Sequence, residues 1–594
     1  MKRIAALLLL ASAAYAQPLP PSTPWSGKSR ELIVAADDPW ITPSEKSAFR
    51  FTPSYDETVA WLRRLVAAAP ELRMVSIGKS GENRDIWMVI ASKDRAFTPE
   101  ALKRSGKPIL LAQAGIHAGE IDGKDAGLLL LRDMTVRGKR RELLDRANFL
   151  FVPIFNVDGH ERISAFGRVN QRGPERMGWR TNAQNLNLNR DYAKLDTPEV
   201  RAIVAAIERW SPDLYVDLHV TDGADYQYDV TWGWNRRTGW SPSIARWLDD
   251  TLQPALERDL KAAGHIPGPL VFAAFGDDIT RGITFGEGIP RFSTGWGDAR
   301  HLAAVLVENH SLKPYEQRVL GMRVLLESMM VTLGSGGAAL RRATDEDRRR
   351  RIDPVVLTWE DPEKGKPSET LELLGIESRT ALSPISGTVR TEYLGRPITL
   401  RVPAFRDFTV TASVPRAKAY WIPAQWNEVA DRLRRHGIAI EQITAPRDLE
   451  VDMYRLVDPK LKSEAFEGRV QFTTRAKIER RKERFAAGSW RVSTDQPLGQ
   501  LASLLLEPES GDSFLQWGFF LSILQRTEYI ESYIVEPLAE KMLADDPKLA
   551  EEFRRKVAGD AAFRADSTAR LRWFYERSPY WDERWLLYPV ARER

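Results

Sequence analysis

Over the first 330 or so residues of this 594-residue chain, short apolar runs alternate with segments of helical periodicity. Ile109–Ala114, Asn148–Phe155, Leu214–Leu218 and Val305–Val307 are brief and continuous, as buried strands are. Between and beyond them, Gly123–Met134, Pro198–Glu208, Ser243–Ala263 and Glu316–Thr332 repeat apolar positions every three or four residues, the mark of helices with one buried face. Such alternation predicts an α/β domain, a mostly parallel mixed sheet flanked by helices. A first helix is expected over Asp56–Ala68, where Val59, Leu62, Leu65 and Val66 share a face, so the folded part begins near residue 45.

The texture changes at Gly334–Arg351, which is glycine-rich and then densely charged and reads as the domain's boundary. Residues 353–419 alternate apolar and polar positions between turns, as β-sheet does. Ala419–Ile443 reads as a strand and then a helix capped by Asn427 and stopped at Gly437. Ser513–Tyr588 is mainly helical and rich in aromatics. The expected organisation is a signal peptide (1–16), a flexible leader (17–44), an α/β domain (45–333), a linker (334–352), and a β-rich then helical C-terminal region (353–594).

Composition narrows the classes. With 43% hydrophobic and 28% charged residues, the chain can build full-size cores and is no disordered or collagen-like polymer. Its 86 basic and 81 acidic residues leave a formal charge of +5, mixed along the chain, so no nucleic-acid partner is expected. Lys2 and Arg3, the apolar run Ile4–Ala11 and the small-x-small site Ala14-Tyr15-Ala16 read as a cleaved secretory signal, placing the mature protein in the periplasm or outside the cell. An uncleaved anchor is the alternative. No later stretch reaches about 18 uninterrupted apolar residues, so stable membrane insertion is not expected. There is no cysteine, so disulfides and thiolate metal sites are excluded, and His, Asp and Glu remain as ligands.

Seven histidines can be read one by one: His117, His160, His219, His265, His301, His310 and His436. His117 and His219 stand at the C-terminal ends of expected strands, where open α/β sheets place their ligands. His117-Ala118-Gly119-Glu120 puts an imidazole and a carboxylate on one loop, a weak signal alone and equally a surface ion pair. His219 supplies a third donor, with Asp217 on the same strand face to orient it. Two His and one Glu make an open zinc site with one position left for water. The other histidines lack ligand context and are assigned to the surface or to ordinary hydrogen bonding, His436 to a helix surface and His310 to a supporting place beside Glu308.

Several motifs in order resemble the carboxypeptidase A-like zinc carboxypeptidases: His117-Ala118-Gly119-Glu120, Asn156-Val157-Asp158-Gly159, Trp179-Arg180, Asn187-Leu188-Asn189-Arg190, Asp217-Leu218-His219 and Glu308-Asn309-His310. The resemblance covers roughly residues 45–333. It implies one zinc ion per chain on His117, Glu120 and His219, and Glu308 as the general base that activates the zinc water. It implies Arg180 as oxyanion stabiliser, with Arg172 and Arg176 competing for that role. Asn189 and Arg190 would clamp the terminal carboxylate of a peptide substrate, unless Arg190 is paired with Asp191. Two positions depart from the family pattern. Asn187 stands where an Asp is usual, three residues before the clamp Arg. The usual substrate-facing tyrosine is missing from Arg281–Val307, and Ser293–Gly297, with Trp296, is the expected replacement wall. Tyr226, Tyr228, Trp232 and Trp234 recur with period two and read as core rather than as a subsite. The function implied is an exported metallopeptidase acting on C-terminal peptide bonds. The alternatives are an amidase or deacylase for peptidoglycan stem peptides or N-acyl amino acids, and a non-catalytic binding protein on the same fold.

Overall fold

The computed structural model describes residues 19–594 apart from 277, 287 and 527. The signal expected over residues 1–16 lies outside the described residues. Eight strands form the main sheet: β1 (Leu72–Lys79), β2 (Asp85–Ala91), β3 (Ile109–Ala114), β4 (Asn148–Val152), β5 (Leu214–Val220), β6 (Val230–Gly233), β7 (Pro267–Pro269) and β8 (Ala303–Asn309). Their order is β1-β2-β4-β3-β5-β8-β6-β7. The four central strands β4-β3-β5-β8 run parallel, and antiparallel strands flank them on both sides. This is the mixed, mostly parallel sheet that the alternating pattern predicts.

Every residue of β3, β4 and β5 is buried, as expected of parallel strands covered on both faces. On one face Leu111 and Tyr215 pack with Val200, Ile203 and Ile207 of the helix Pro198–Trp210. Four helices matter here: α1 (Tyr55–Ala68), α2 (Asp122–Met134), α3 (Pro198–Trp210) and α4 (Tyr315–Arg349). Leu110, Ala112, Leu214 and Val216 point to the opposite face, against Leu128 and Leu131 of α2 and Leu320, Leu325 and Met329 of α4. Local chemistry starts these helices where they start. Ser54 and Glu57 form a reciprocal capping box on α1, and Thr197 caps α3 just before Pro198 at its first turn.

Two expectations about connecting segments are corrected. The leader is not loose over its described part. Trp25 Nε1 donates to the Gly264 carbonyl (2.9 Å), and Ser29 Oγ lies 2.8 Å from His265 Nε2, so residues ahead of 45 are pinned to the domain. The stretch Gly334–Arg351 is helical as far as Arg349 instead of being an open linker, because α4 runs through its glycines. A Cβ on Gly337 would come within 2.7 Å of Pro108, so these glycines admit close packing and do not break the helix. Among the described residues α4 is the one helix long and apolar enough to cross a membrane, and 67% of that apolar stretch is buried inside the protein.

Beyond α4 the chain is β-rich and then helical, in agreement with its periodicity. β9 (Glu369–Leu382) and β10 (Val389–Phe405) form one long hairpin, and β11 (Arg447–Leu461) and β12 (Phe472–Phe485) form another. Arg475, Arg480 and Arg484 of the basic run face Asp458, Asp452 and Asp448 across the second hairpin, which makes it a solvated, charge-paired surface. The C-terminal half shares a continuous core with the α/β half. Val429, Leu433, Leu505 and Trp517 belong to the same cluster as Val200 and Trp296. His436 is therefore fully buried, not on a helix surface: its Nδ1 accepts from Trp296 Nε1 at 3.0 Å.

Candidate metal centre and active site

His117 follows β3 through Gly115, whose φ of +70° suits glycine and turns the chain off the strand end. Glu120 closes the same loop, which packs tightly: a Cβ on Gly119 would meet Arg168 Cδ at 2.6 Å and the Gly178 carbonyl at 2.8 Å. His219 is on neighbouring β5 and pairs in register with Glu308 on β8, so both side chains leave the same sheet face.

These elements bring three donors together. His219 Nδ1 lies 3.0 Å from Glu120 Oε2 and 3.2 Å from His117 Nδ1, and His117 Nδ1 lies 3.1 Å from Glu120 Oε1. All three side chains are buried. Nitrogen and oxygen ligands about 2.0–2.1 Å from a tetrahedral ion stand about 3.3 Å apart, so the donor set and its dimensions fit zinc.

The far nitrogen of each imidazole is also placed. His117 Nε2 lies 2.9 Å from Asn187 Oδ1, and His219 Nε2 lies 3.0 Å from Asp217 Oδ2. A proton on each Nε2 facing these oxygens leaves each Nδ1 lone pair turned to the centre. Asp217 is itself fixed by Gln113 (3.2 Å) and Ser293 (2.6 Å). His117 thus has an amide oxygen beside it and His219 a carboxylate.

Charge is dense around the triad. Burial opposes ionisation of Glu120, yet His117 and Arg168 hold its carboxyl well below the usual range. Arg168 donates to Glu120 Oε1 at 2.7 Å and to Asp222 at 3.0 Å, and Arg180 reaches the same Glu120 oxygen at 3.0 Å. Sequence reasoning weighed Arg172 and Arg176 beside Arg180 and missed Arg168. Arg172 is spent on the Leu312 carbonyl (2.8 Å), and Arg176 is exposed. The missed signal was an arginine following Gly167 in the same polar loop. Burial pushes the Glu308 carboxyl up to about 8, with His219 opposing the rise and Glu120 adding to it, and Glu308 Oε2 is buried with no hydrogen-bond partner.

Asn189 and Arg190 occupy a short turn directly after Asn187. Asn189 Oδ1 accepts from Ser293 N at 2.9 Å. The rival pairing of Arg190 with Asp191 does not form, because Asp191 is taken by Lys194 (2.5 Å) and Thr197 (2.6 Å). Arg190 stacks on Phe292 at 4.5 Å and makes no ion pair among the described residues.

The aromatic expectations divide. Trp296 is no substrate wall: it is fully buried against Tyr192. Trp232 and Trp234 line a cavity of about 520 Å³ beside Asn189, together with Phe292, Thr294 and Leu306, whereas Tyr226 and Tyr228 pack in a separate core cluster. His310 serves Asp225 (3.0 Å) and the Tyr226 N–H (3.2 Å) rather than Glu308. His160, His265 and His301 are buried and bonded to Glu161, Asp229 and Ser241.

Residues 58–263 match the Peptidase_M14 family model, described as zinc carboxypeptidase. Over those residues the chain carries a zinc carboxypeptidase domain. Carboxypeptidase 2 of Trichophyton tonsurans is 25% identical over 492 residues, covering 78% of this chain and 84% of that protein. An alignment of that length extends past the catalytic half, so the C-terminal region takes part in the likeness. Mouse carboxypeptidase D is 29% identical over 168 residues, 27% of this chain and 11% of that protein. Among solved structures, a metallo-carboxypeptidase from Burkholderia cenocepacia aligns at 18% identity and a TM-score of 0.35, covering 48% of this chain and 70% of that one. The likeness is thus to metallocarboxypeptidases, and the matched segment holds the buried His117, Glu120 and His219 donors.

Proposed function

We propose that this protein removes the C-terminal residue of a peptide, with one zinc ion held by His117, Glu120 and His219. One observation carries the reading. The single turn Asn187–Arg190 bears both the oxygen that faces His117 and the guanidinium of Arg190, which donates to the Asn189 carbonyl (2.7 Å) and forms no ion pair among the described residues; this supports a carboxylate clamp next to the candidate metal donors. An enzyme that measures its cut from a chain end needs that proximity.

When bound, zinc supplies Lewis acidity to the scissile carbonyl and lowers the pKa of a nearby water. Glu308 accepts that water's proton on Oε2 as its oxygen bonds to the carbonyl carbon. It then passes the proton to the amine as the C–N bond breaks. A carboxyl raised by burial is suited to hold a proton in transit, and added positive charge at the triad lowers it toward a working base. Arg180 turns its guanidinium to the developing oxyanion, and Asn189 with Arg190 binds the terminal carboxylate. The side chain of the departing residue enters the cavity beside Asn189. Its charged rim is neutralised internally, Arg236 by Asp249 (3.3 Å), Arg237 by Asp250 (2.7 Å) and Arg406 by Glu369 (2.5 Å), so its Trp232, Trp234 and Phe292 walls favour large apolar side chains.

Mass spectrometry of free and amidated peptides, with and without a chelator, tests the reading. Single-residue loss confined to free C-termini, abolished by the chelator and restored by zinc, is expected. Equal cleavage of amidated peptides would replace the carboxypeptidase reading with a general amidase. Export is supported by Lys2, Arg3, Ile4–Ala11 and Ala14–Ala16, and it predicts that the mature protein begins at Gln17 by N-terminal sequencing.

A further inference from the structure

The hairpin of β11 and β12 belongs to the C-terminal region, yet its tip touches the active-site turn. Phe466 N donates to the Arg469 carbonyl (2.8 Å) and Arg469 N to the Phe466 carbonyl (3.1 Å), closing a two-residue turn at Glu467 and Gly468. Both central residues are left-handed, with φ of +50° and +77°. Such turns favour Asn or Gly at both places, so a glutamate in the first is strained. The strained residue makes a contact across the fold: Glu467 Oε2 accepts from Asn187 N at 2.7 Å, 280 residues away along the chain.

The tip is held firmly enough to aim that carboxylate. Phe466 stacks on Trp517 with ring centroids 5.9 Å apart. Arg469 grips Asp196 through two bonds of 2.7 Å and lies over Phe519 at 3.7 Å. Asp196 and Leu186, which Gly468 faces, lie on either side of the clamp segment in sequence, so the hairpin is seated against that segment from both flanks.

We propose that Glu467 is a positioning residue: through the Asn187 N–H it sets the turn that carries both the support for His117 and the carboxylate clamp, so that the site is complete only with the C-terminal hairpin in place. The inference rests on the carboxypeptidase reading for its substrate limb and on the donor triad alone for its metal limb.

The test uses the full-length chain. Glu467→Gly removes the acceptor and also relieves the left-handed strain, so a merely structural role predicts unchanged or better function. The expected result is a Tm equal to or above the parent, KM for a free-carboxylate peptide raised about tenfold with a smaller change in kcat, and zinc held about threefold more weakly in chelator competition. Glu467→Gln keeps an acceptor oxygen and is expected to recover most of both losses. KM and zinc affinity both unchanged in Glu467→Gly would overturn the proposal, as would a Gln variant impaired as severely as the Gly variant. If the parent binds zinc but cleaves no free-carboxylate peptide, the carboxypeptidase reading fails. The zinc competition still decides the proposal.

Discussion

Asn187 Oδ1 lies 2.9 Å from His117 Nε2, while the equivalent nitrogen of His219 faces the carboxylate of Asp217 at 3.0 Å. The two imidazoles proposed to hold zinc thus face partners of different charge. A carboxylate makes an imidazole a stronger donor than an amide does, and removing such a partner costs about 10- to 100-fold in metal affinity. Asn187→Asp should therefore hold zinc more tightly than the parent and Asn187→Leu more weakly by that range, read by chelator competition. Equal affinity in the parent and Asn187→Leu would show that the contact does not tune the site.

Glu308 sits in register with His219 across two parallel strands, and its Oε2 has no other partner. Glu308→Gln keeps the shape and removes the proton acceptor. Zinc content should stay at the parental level while kcat falls by about 10²–10⁴. Turnover within a few-fold of the parent would remove Glu308 from the proton path.

Arg190 is expected to act in binding before it acts in chemistry. Arg190→Ala should raise KM for free-carboxylate peptides by at least about tenfold, the loss of a charge-assisted pair, and leave residual cleavage of amidated peptides untouched. Parallel losses on both substrates would mean that Arg190 supports the fold of the turn and does not recognise the chain end.

Much of this site could be read from residue order alone. His117 and His219 end buried strands, Asp217 shares a face with His219, and a parallel sheet brings such strand ends together. What escaped were contacts with no local signature. Arg168 is one of several arginines in a polar loop, and only the packing of Gly119 against it shows that it is buried beside Glu120. Glu467 reaches Asn187 from another sheet, a distance that no periodicity encodes. Trp296 was misplaced because a tryptophan at a family position looks the same on paper whether it faces substrate or, as here, Tyr192 and His436. The glycines of α4 mislead for a similar reason. In sequence they resemble a linker, and in the fold they let the helix approach Pro108.

The cavity beside Asn189 makes a prediction about selectivity. Burying a large aromatic side chain there is worth about 1.5–3 kcal/mol over leaving it exposed, so kcat/KM for a Phe-ending peptide should exceed that for its Ala-ending counterpart by about tenfold or more. Thr294→Trp places bulk at the cavity wall. It should reduce the Phe-ending peptide selectively and bring the ratio toward one, and a ratio unchanged from the parent would exclude the cavity as the side-chain site.

Stability should fall in acid for a reason distant from the metal centre. Burial, aided by Arg300, holds His436 at about 3, and burial with Arg348 holds His301 at about 3. Unfolded, each takes up a proton near pH 6.5. Between those values the unfolded chain binds more protons than the folded one, so folding stability declines as pH drops from 6.5 toward 3, by about 2 kcal/mol per histidine at pH 5. Asp298 works the other way, since burial raises it to about 6 and its ionisation costs the folded state as pH rises from 3.8. Comparing variant with parent separates the two. Denaturant midpoints from pH 7 to 5 should fall less steeply in His436→Asn than in the parent, by about one proton's worth, even though losing the Trp296 bond lowers its stability at pH 7. Parallel pH profiles would show that His436 takes up its proton in the folded protein as readily as in the unfolded chain.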